Sequence, residues 1–192
     1  MSVRHLTSSD FRRLPWQNGR GTTLELARHN DAAGALLWRL SVADVVEPGP
    51  FSPLPGIDRI ITLIEGDGFD LDFGDAQSPV SLRSFEPVSF SGDWPTTATI
   101  VRGPSRDFNV MTARGQITAE VEAGWNGAVD APLVYVYVAS GNATVVAGSI
   151  TVCAESGDLI ECRQEADLRA NVNEAGHILA VRIAANDGTI PL

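Results

Sequence analysis

Apolar residues along this chain alternate with polar ones or fall in short β-branched blocks, and the helical spacing of apolar positions is almost missing. The blocks predict strands over Leu36 to Val45, Ile60 to Ile64, Gly68 to Phe73, Ala98 to Val101, Phe108 to Thr112, Ile117 to Ala123, Leu133 to Ala139, Ala143 to Val146, Ile150 to Val152, Leu159 to Cys162 and His177 to Ala184. Between them lie GPFSPLPG, EGDG, FGDAQSP, SGDWP, RGPS and ESGD, turn-forming stretches at the spacing of an all-β sandwich or barrel. One short helical turn is expected, capped by Ser8 or Ser9, running to Arg13 and stopped by Pro15.

Two stretches parallel each other. IDRIITLIEGDGFDLDFGD, followed by SFEPVSF, matches LVYVYVASGNATVVAGSITV, followed by ESGDLIEC. In each, an apolar strand meets a glycine (Gly66, Gly141), a second strand returns, and a turn (Phe85 to Pro87, Gly157 to Asp158) launches a third. This reads as a duplicated β unit joined near Thr112 to Gly124. The expected domains are 1–115 and 116–192.

Composition narrows the chemistry. With 192 residues, 44% of them apolar, the chain can bury roughly 70% of its unfolded surface and needs no staples. All 14 basic residues are arginine, against 24 acidic ones, for a net charge of −10. Without lysine there is no Walker-type phosphate loop and no Schiff-base or pyridoxal chemistry. An acidic chain with no basic run is also a poor match for nucleic acid or an anionic membrane, which clustered positive charge holds. The start, MSVRHLTSSDF, lacks a secretory pattern, and the longest apolar run, Leu133 to Ala139, is far short of a membrane span, so a cytoplasmic location is expected. Cys153 and Cys162 form no CxxC pair or disulfide framework and are expected to be buried apolar side chains.

The order strand, glycine, strand, GD-turn resembles that of a cupin, a small β-barrel related to the jelly rolls. Metal-binding cupins place two histidines and a glutamate before the first-motif glycine and a last histidine after a PxG turn. Counted from Gly66, those positions hold Ser52, Leu54 and Arg59; Phe90 and Gly92 stand for the PxG turn, and Pro95 takes the last place. None offers the imidazole or carboxylate lone pairs that bind Fe, Mn, Ni or Zn. His5, His29 and His177 fall singly and read as surface or strand-end residues. No metal and no other cofactor is expected, and a cation stands where a ligand would point inward.

LPWQNGRGTTLEL, WRLSVADV, GPFSPLPGIDRIITLIEGDG, SFSGDW and SRDFNVM resemble the HutD/Ves family, bicupin proteins associated with histidine utilisation. The resemblance covers roughly residues 10 to 115. Trp16, Asn18, Gly19, Gly21 and Glu25 match the family pattern W-x-N-G-x-G-x-T-x-E. It implies an all-β bicupin of two jelly-roll-like barrels without a metal motif, no particular catalytic activity, and a pocket for a small carboxylate from histidine breakdown such as urocanate or formylglutamate.

The residues support such a pocket on their own. Period two puts Arg39 on the face of Leu37, Ser41 and Ala43, and Arg59 on the face of Ile61 and Leu63. Two guanidinium forks in one barrel would grip a carboxylate bidentately. Asp107 and Asn109 share one face of their strand, opposite Phe108 and Val110. Asn18 sits in a glycine-rich turn, where it is either a ligand contact or simply a turn residue. Glu25 and Ser41 would orient a ligand, and Ser52 would donate to a bound oxygen. Trp16 and Trp38 read as core. The structural alternative is that Glu25, Asp44 or Asp107 neutralises both arginines, since buried charge must be paired.

Three functions remain open. The leading one is a sensor, buffer or regulator of histidine utilisation that binds a small carboxylate through Arg59 and Arg39. The second is a lyase, isomerase or hydrolase with Glu25 or Asp107 as general base. The third is a partner-binding protein with a vestigial pocket. The second half, poor in functional side chains, reads as a degenerate barrel that adds stability and offers a surface for a homodimer.

Overall fold

Alternation and β-branching do what the sequence leads one to expect: among the described residues the regular structure is strand, apart from one turn of 3-10 helix at Gly74–Ala76. A computed structural model describes residues 2–16, 21–125, 128–172 and 176–187. In chain order the strands are β1 (Ser2–Leu6), β2 (Arg12–Pro15), β3 (Thr22–Asn30), β4 (Leu36–Val45), β5 (Gly49–Pro50), β6 (Ile57–Glu65), β7 (Asp70–Asp72), β8 (Val80–Ser81) and β9 (Val88–Ser91). They continue with β10 (Thr97–Thr99), β11 (Ser105–Ala113), β12 (Ile117–Ala123), β13 (Ala128–Ser140), β14 (Asn142–Ala147), β15 (Ile150–Glu155), β16 (Leu159–Val172) and β17 (His177–Ala185).

The chain divides into two compact units, Arg12–Arg114 and a second made of Met1–Phe11 with Gly115–Leu192. Residues 2–6 go with the C-terminal unit, because β1 pairs antiparallel with β16, Ser2 opposite Arg163 and Leu6 opposite Leu159.

The Arg12–Arg114 unit is a cupin-type sandwich of open sheets rather than a closed barrel. One sheet runs β2-β3-β4-β11-β6-β9 and the other β5-β10-β7-β8. Val45, Ile61, Leu63 and Phe90 from the larger sheet pack with Leu71 and Ala98 from the smaller one, and Phe69, Phe73 and Leu82 complete the core. Two glycines hold the larger sheet to its loops. Gly66 has φ +90° after β6, and a Cβ there would lie 2.8 Å from the Ser105 Cα and closer still to the Pro104 carbonyl. Gly92 donates its N–H to the Ile57 carbonyl at 2.7 Å and accepts from the Leu54 N–H at 2.9 Å, and a Cβ would collide with both carbonyls.

The other unit is one seven-stranded sheet, β12-β17-β13-β16-β14-β15, with β1 added on β16. The long β16 keeps β13 along one edge, while its other edge takes β1 over Leu159 to Arg163 and β14 over Leu168 to Val172. Val134, Val136, Val138, Ile160, Cys162, Ile178 and Ala180 form its core with Trp125.

Two expectations are corrected. Residues 8–13 make no helical turn: the Asp10 N–H bonds the Thr7 carbonyl at 2.9 Å, the Asp10 side chain takes the Thr7 N–H, and Arg12–Pro15 finds backbone partners in β3 and becomes a strand. Cys153 is exposed on β15, at the end of its sheet, and only Cys162 is buried. The histidines fall at strand surfaces or ends: His5 bonds Asp158 at 2.7 Å, His177 bonds Ser140 at 3.2 Å, and His29 stacks on Trp38 with centroids 4.3 Å apart. No helix among the described residues is long and apolar enough to cross a membrane.

Candidate functional site

Period two and strand register together build a polar patch on the core-facing side of the six-stranded sheet. Ser41 on β4 stands opposite both Glu25 on β3 and Asn109 on β11, and Asn109 stands opposite Ile61 on β6. One rung along, Arg39 is opposite Met111, which is opposite Arg59. One rung the other way from Asn109 lies Asp107, between Ala43 and Leu63. Arg39, Arg59, Glu25, Ser41, Asp107 and Asn109 thus share one face. Register shifts flank the patch, between Glu25 and Ala27 in β3 and between Arg106 and Asp107 in the β11 pairing with β6. Bulges of this kind re-aim side chains beside functional sites.

Arg59 is 6% exposed and is held from both sides. Its guanidinium carbon lies 4.9 Å from the centroids of the Phe51 and Phe90 rings, and its Nη2 donates to Asn109 Oδ1 at 2.8 Å. Asn109 Nδ2 in turn donates to Asp107 Oδ1, so the amide bridges the cation and the carboxyl group. Burial, the largest influence, lowers the Arg59 guanidinium to about 10, against the pull of Asp107. It remains charged at neutral pH. Asp107 is 1% exposed, and burial pushes its carboxyl up to about 7 despite Arg59 and the Asn109 hydrogen bond.

A second ion pair adjoins it. Arg39 Nε approaches Glu25 Oε2 to 3.0 Å, but the two atoms are not aligned for a hydrogen bond. Arg28 and Arg12 also reach Glu25, at 3.7 and 4.0 Å. Burial lowers the Arg39 guanidinium, with Glu25 opposing and Arg28 adding to the effect. Asp44 is not part of this network; Arg106 takes it at 2.8 Å and Glu65 at 3.1 Å.

Six buried side-chain polar atoms among the described residues lack a hydrogen-bond partner. Four of them, Glu25 Oε2, Arg39 Nε, Arg59 Nε and Asp107 Oδ2, belong to this patch. Unpaired buried polar atoms are costly, and four of the six fall at this one place. The donor set suits an anion and not a metal ion. Ser52 and Pro95 are exposed, Leu54 is apolar, Arg59 is a cation, and among the described residues no three His, Cys, Asp or Glu side chains converge.

Asn18 lies outside the described residues. Ser52 is exposed in the loop before β6, and its neighbour Phe51 covers Arg59. Trp16 packs on the sandwich core and donates Nε1 to Thr23 at 2.8 Å, and Trp38 is fully buried. Sequence reasoning missed the ring pair Phe51 and Phe90 as a clamp, although Phe90 stands opposite Arg59 across the β6 and β9 pairing.

The chain resembles known proteins in sequence and in fold. A family model described as HutD matches residues 8–180. The chain is 37% identical over 118 residues to an uncharacterised 21.2 kDa protein of the hutC 3′ region of Pseudomonas putida, a match over 61% of this chain and 62% of that one. It is likewise 37% identical over 116 residues to protein Ves of Citrobacter koseri, over 58% of this chain and 60% of that one. The chain thus spans about three-fifths of the length of these curated relatives, 62% and 60%. Among solved structures, HutD of Pseudomonas fluorescens SBW25 (formate condition) superposes with a TM-score of 0.81 at 27% identity, over 96% of this chain and 100% of that one. A cupin 2 conserved barrel domain protein of Leptotrichia buccalis superposes with a TM-score of 0.56 at 10% identity, over 95% and 98%, a likeness of fold alone.

Proposed function

The chain belongs to the HutD family, which is linked to histidine utilisation, and on that premise we propose that it binds a small carboxylate metabolite of that pathway as a sensor, buffer or regulator. Arg59 carries the reading. It is a buried cation under two aromatic rings, with an unpartnered Nε, joined through Asn109 to the Asp107 carboxyl, whose Oδ2 is also unpartnered. A charge that has lost its hydration needs a counter-ion, and with Asp107 neutral the patch keeps an uncompensated positive charge that a ligand carboxylate would balance. Arg39 is the second candidate contact; its tie to Glu25 makes it the weaker anion donor.

Urocanate and formylglutamate are the candidate ligands. Isothermal titration with each should show saturable heat for at least one, lost in Arg59→Ala. Arg59→Lys should not restore it, since an ammonium offers no planar fork to a carboxylate and fits the gap between two phenyl rings poorly. No heat with either acid, or unchanged binding in Arg59→Ala, would overturn the ligand and the site respectively.

A further inference from the structure

Asp107 has two relations in this structure, and they are incompatible when an anion arrives. Through Asn109 it is coupled to Arg59, so that as a carboxylate it is that guanidinium's internal counter-ion. A ligand carboxylate at Arg59 would take the same role, and two anions beside one buried cation repel each other strongly. We infer that the site takes up its carboxylate together with a proton: Asp107 becomes neutral, and its O–H, carried on the unpartnered Oδ2, donates to the bound ligand while Arg59 supplies the charge.

The atoms support this assignment. Oδ1 already accepts from Asn109 Nδ2, and Oδ2 has no hydrogen-bond partner in the protein, so Oδ2 is the oxygen free to carry and donate the proton. Asp107 is fully enclosed between Ala43 and Leu63, which disfavours its ionised form. The charged groups on the surrounding strands do not offer another proton carrier at Arg59. On β4, Arg39 is paired with Glu25 of β3, to which Arg28 is also close, and Asp44 is held by Arg106 of β11 itself. On β6, besides Arg59, Glu65 is exposed and also bound to Arg106. Across the sandwich, Asp70 of β7 pairs with Arg102 at 2.6 Å and Asp72 accepts the Gly74 N–H. The placement of the carboxyl near pH 7 sets the range in which the coupling would be felt.

This inference rests on the carboxylate-binding reading, and sodium formate is the probe that separates the two, because its own titration lies well below neutrality. Formate binding should be nearly constant below pH 7 and weaken roughly tenfold for each pH unit above it, with close to one proton taken up per formate at pH 8. The uptake is read from titration heats in buffers of different ionisation enthalpy. In Asp107→Asn the pH dependence and the proton uptake should both vanish, whatever the residual affinity. Binding of formate by the unaltered protein without proton uptake, or a pH slope that persists in Asp107→Asn, would overturn the coupling while leaving the anion site standing. No formate binding at any pH from 5.5 to 9 would overturn the site itself. Should Asp107→Asn fail to fold, the carbon-13 titration of the Asp107 carboxyl decides: a shift of its midpoint to higher pH with formate supports the coupling, and an unmoved midpoint overturns it.

Discussion

A buried aspartate with a raised midpoint leaves a mark on stability even with no ligand present. In the folded protein the Asp107 carboxyl titrates at about 7, whereas unfolded it returns to an ordinary carboxylate value near 3.8. Between those values the native state holds more protons than the unfolded one, so raising the pH through this window removes stability. Ligand-free protein should therefore melt at lower temperature at pH 8 than the Asp107 contribution allows at pH 5.5, and Asp107→Asn should flatten that difference in thermal scans. A variant whose melting temperature falls by as much as that of the unaltered protein would contradict the placement of Asp107. At this scale the sequence was legible wherever period two sufficed. Arg59 with Ile61 and Leu63, Arg39 with Ser41, and Asp107 with Asn109 all fall on the faces that alternation assigns. Ser52 sits in a loop, where alternation sets no direction, and the contact of its neighbour Phe51 with Arg59 was not legible in the pattern.

Elements depend on features that composition hints at but does not locate. The strand β3 went unrecognised because its bulge after Glu25 breaks the alternation of TTLELARHN, and β2 because RRLP is a polar edge segment. Up to that bulge the register is regular and sets Glu25 opposite Ser41. The end of β6 is fixed more simply, by Gly66 and its close approach to the start of β11. Gly66→Ala would add strain at φ +90° and press a methyl group into the backbone of Pro104 and Ser105. A loss of about 1–3 kcal/mol is expected, since the backbone has to move, and denaturant midpoints would report it. The shift would extend to Asp107, which follows the Arg106 irregularity on that strand. An alanine variant as stable as the parent would show that the β6 turn relaxes freely.

Across the whole molecule, the division into strand blocks was readable from alternation and turn patterns, but the pairing of residues 2–6 with β16 was not. SVRHL is short and polar, and only its distant partner makes it a strand. Removing residues 2–6 should unprotect those β16 amides over Leu159 to Arg163 that face β1, and lower the melting temperature; native-state hydrogen exchange would show it. Unchanged exchange in that stretch would mean that β13 alone secures β16. The pairing of the N-terminal strand with a partner near residue 160 also sets an order of events during synthesis. Residues 2–6 leave the ribosome well before their partner and wait to find their place, because everything between must emerge before Leu6 can meet Leu159. The unit Arg12–Arg114 is spelled out within that interval and can complete its own pairing first, so its sandwich can assemble while residues 2–6 still wait for β16.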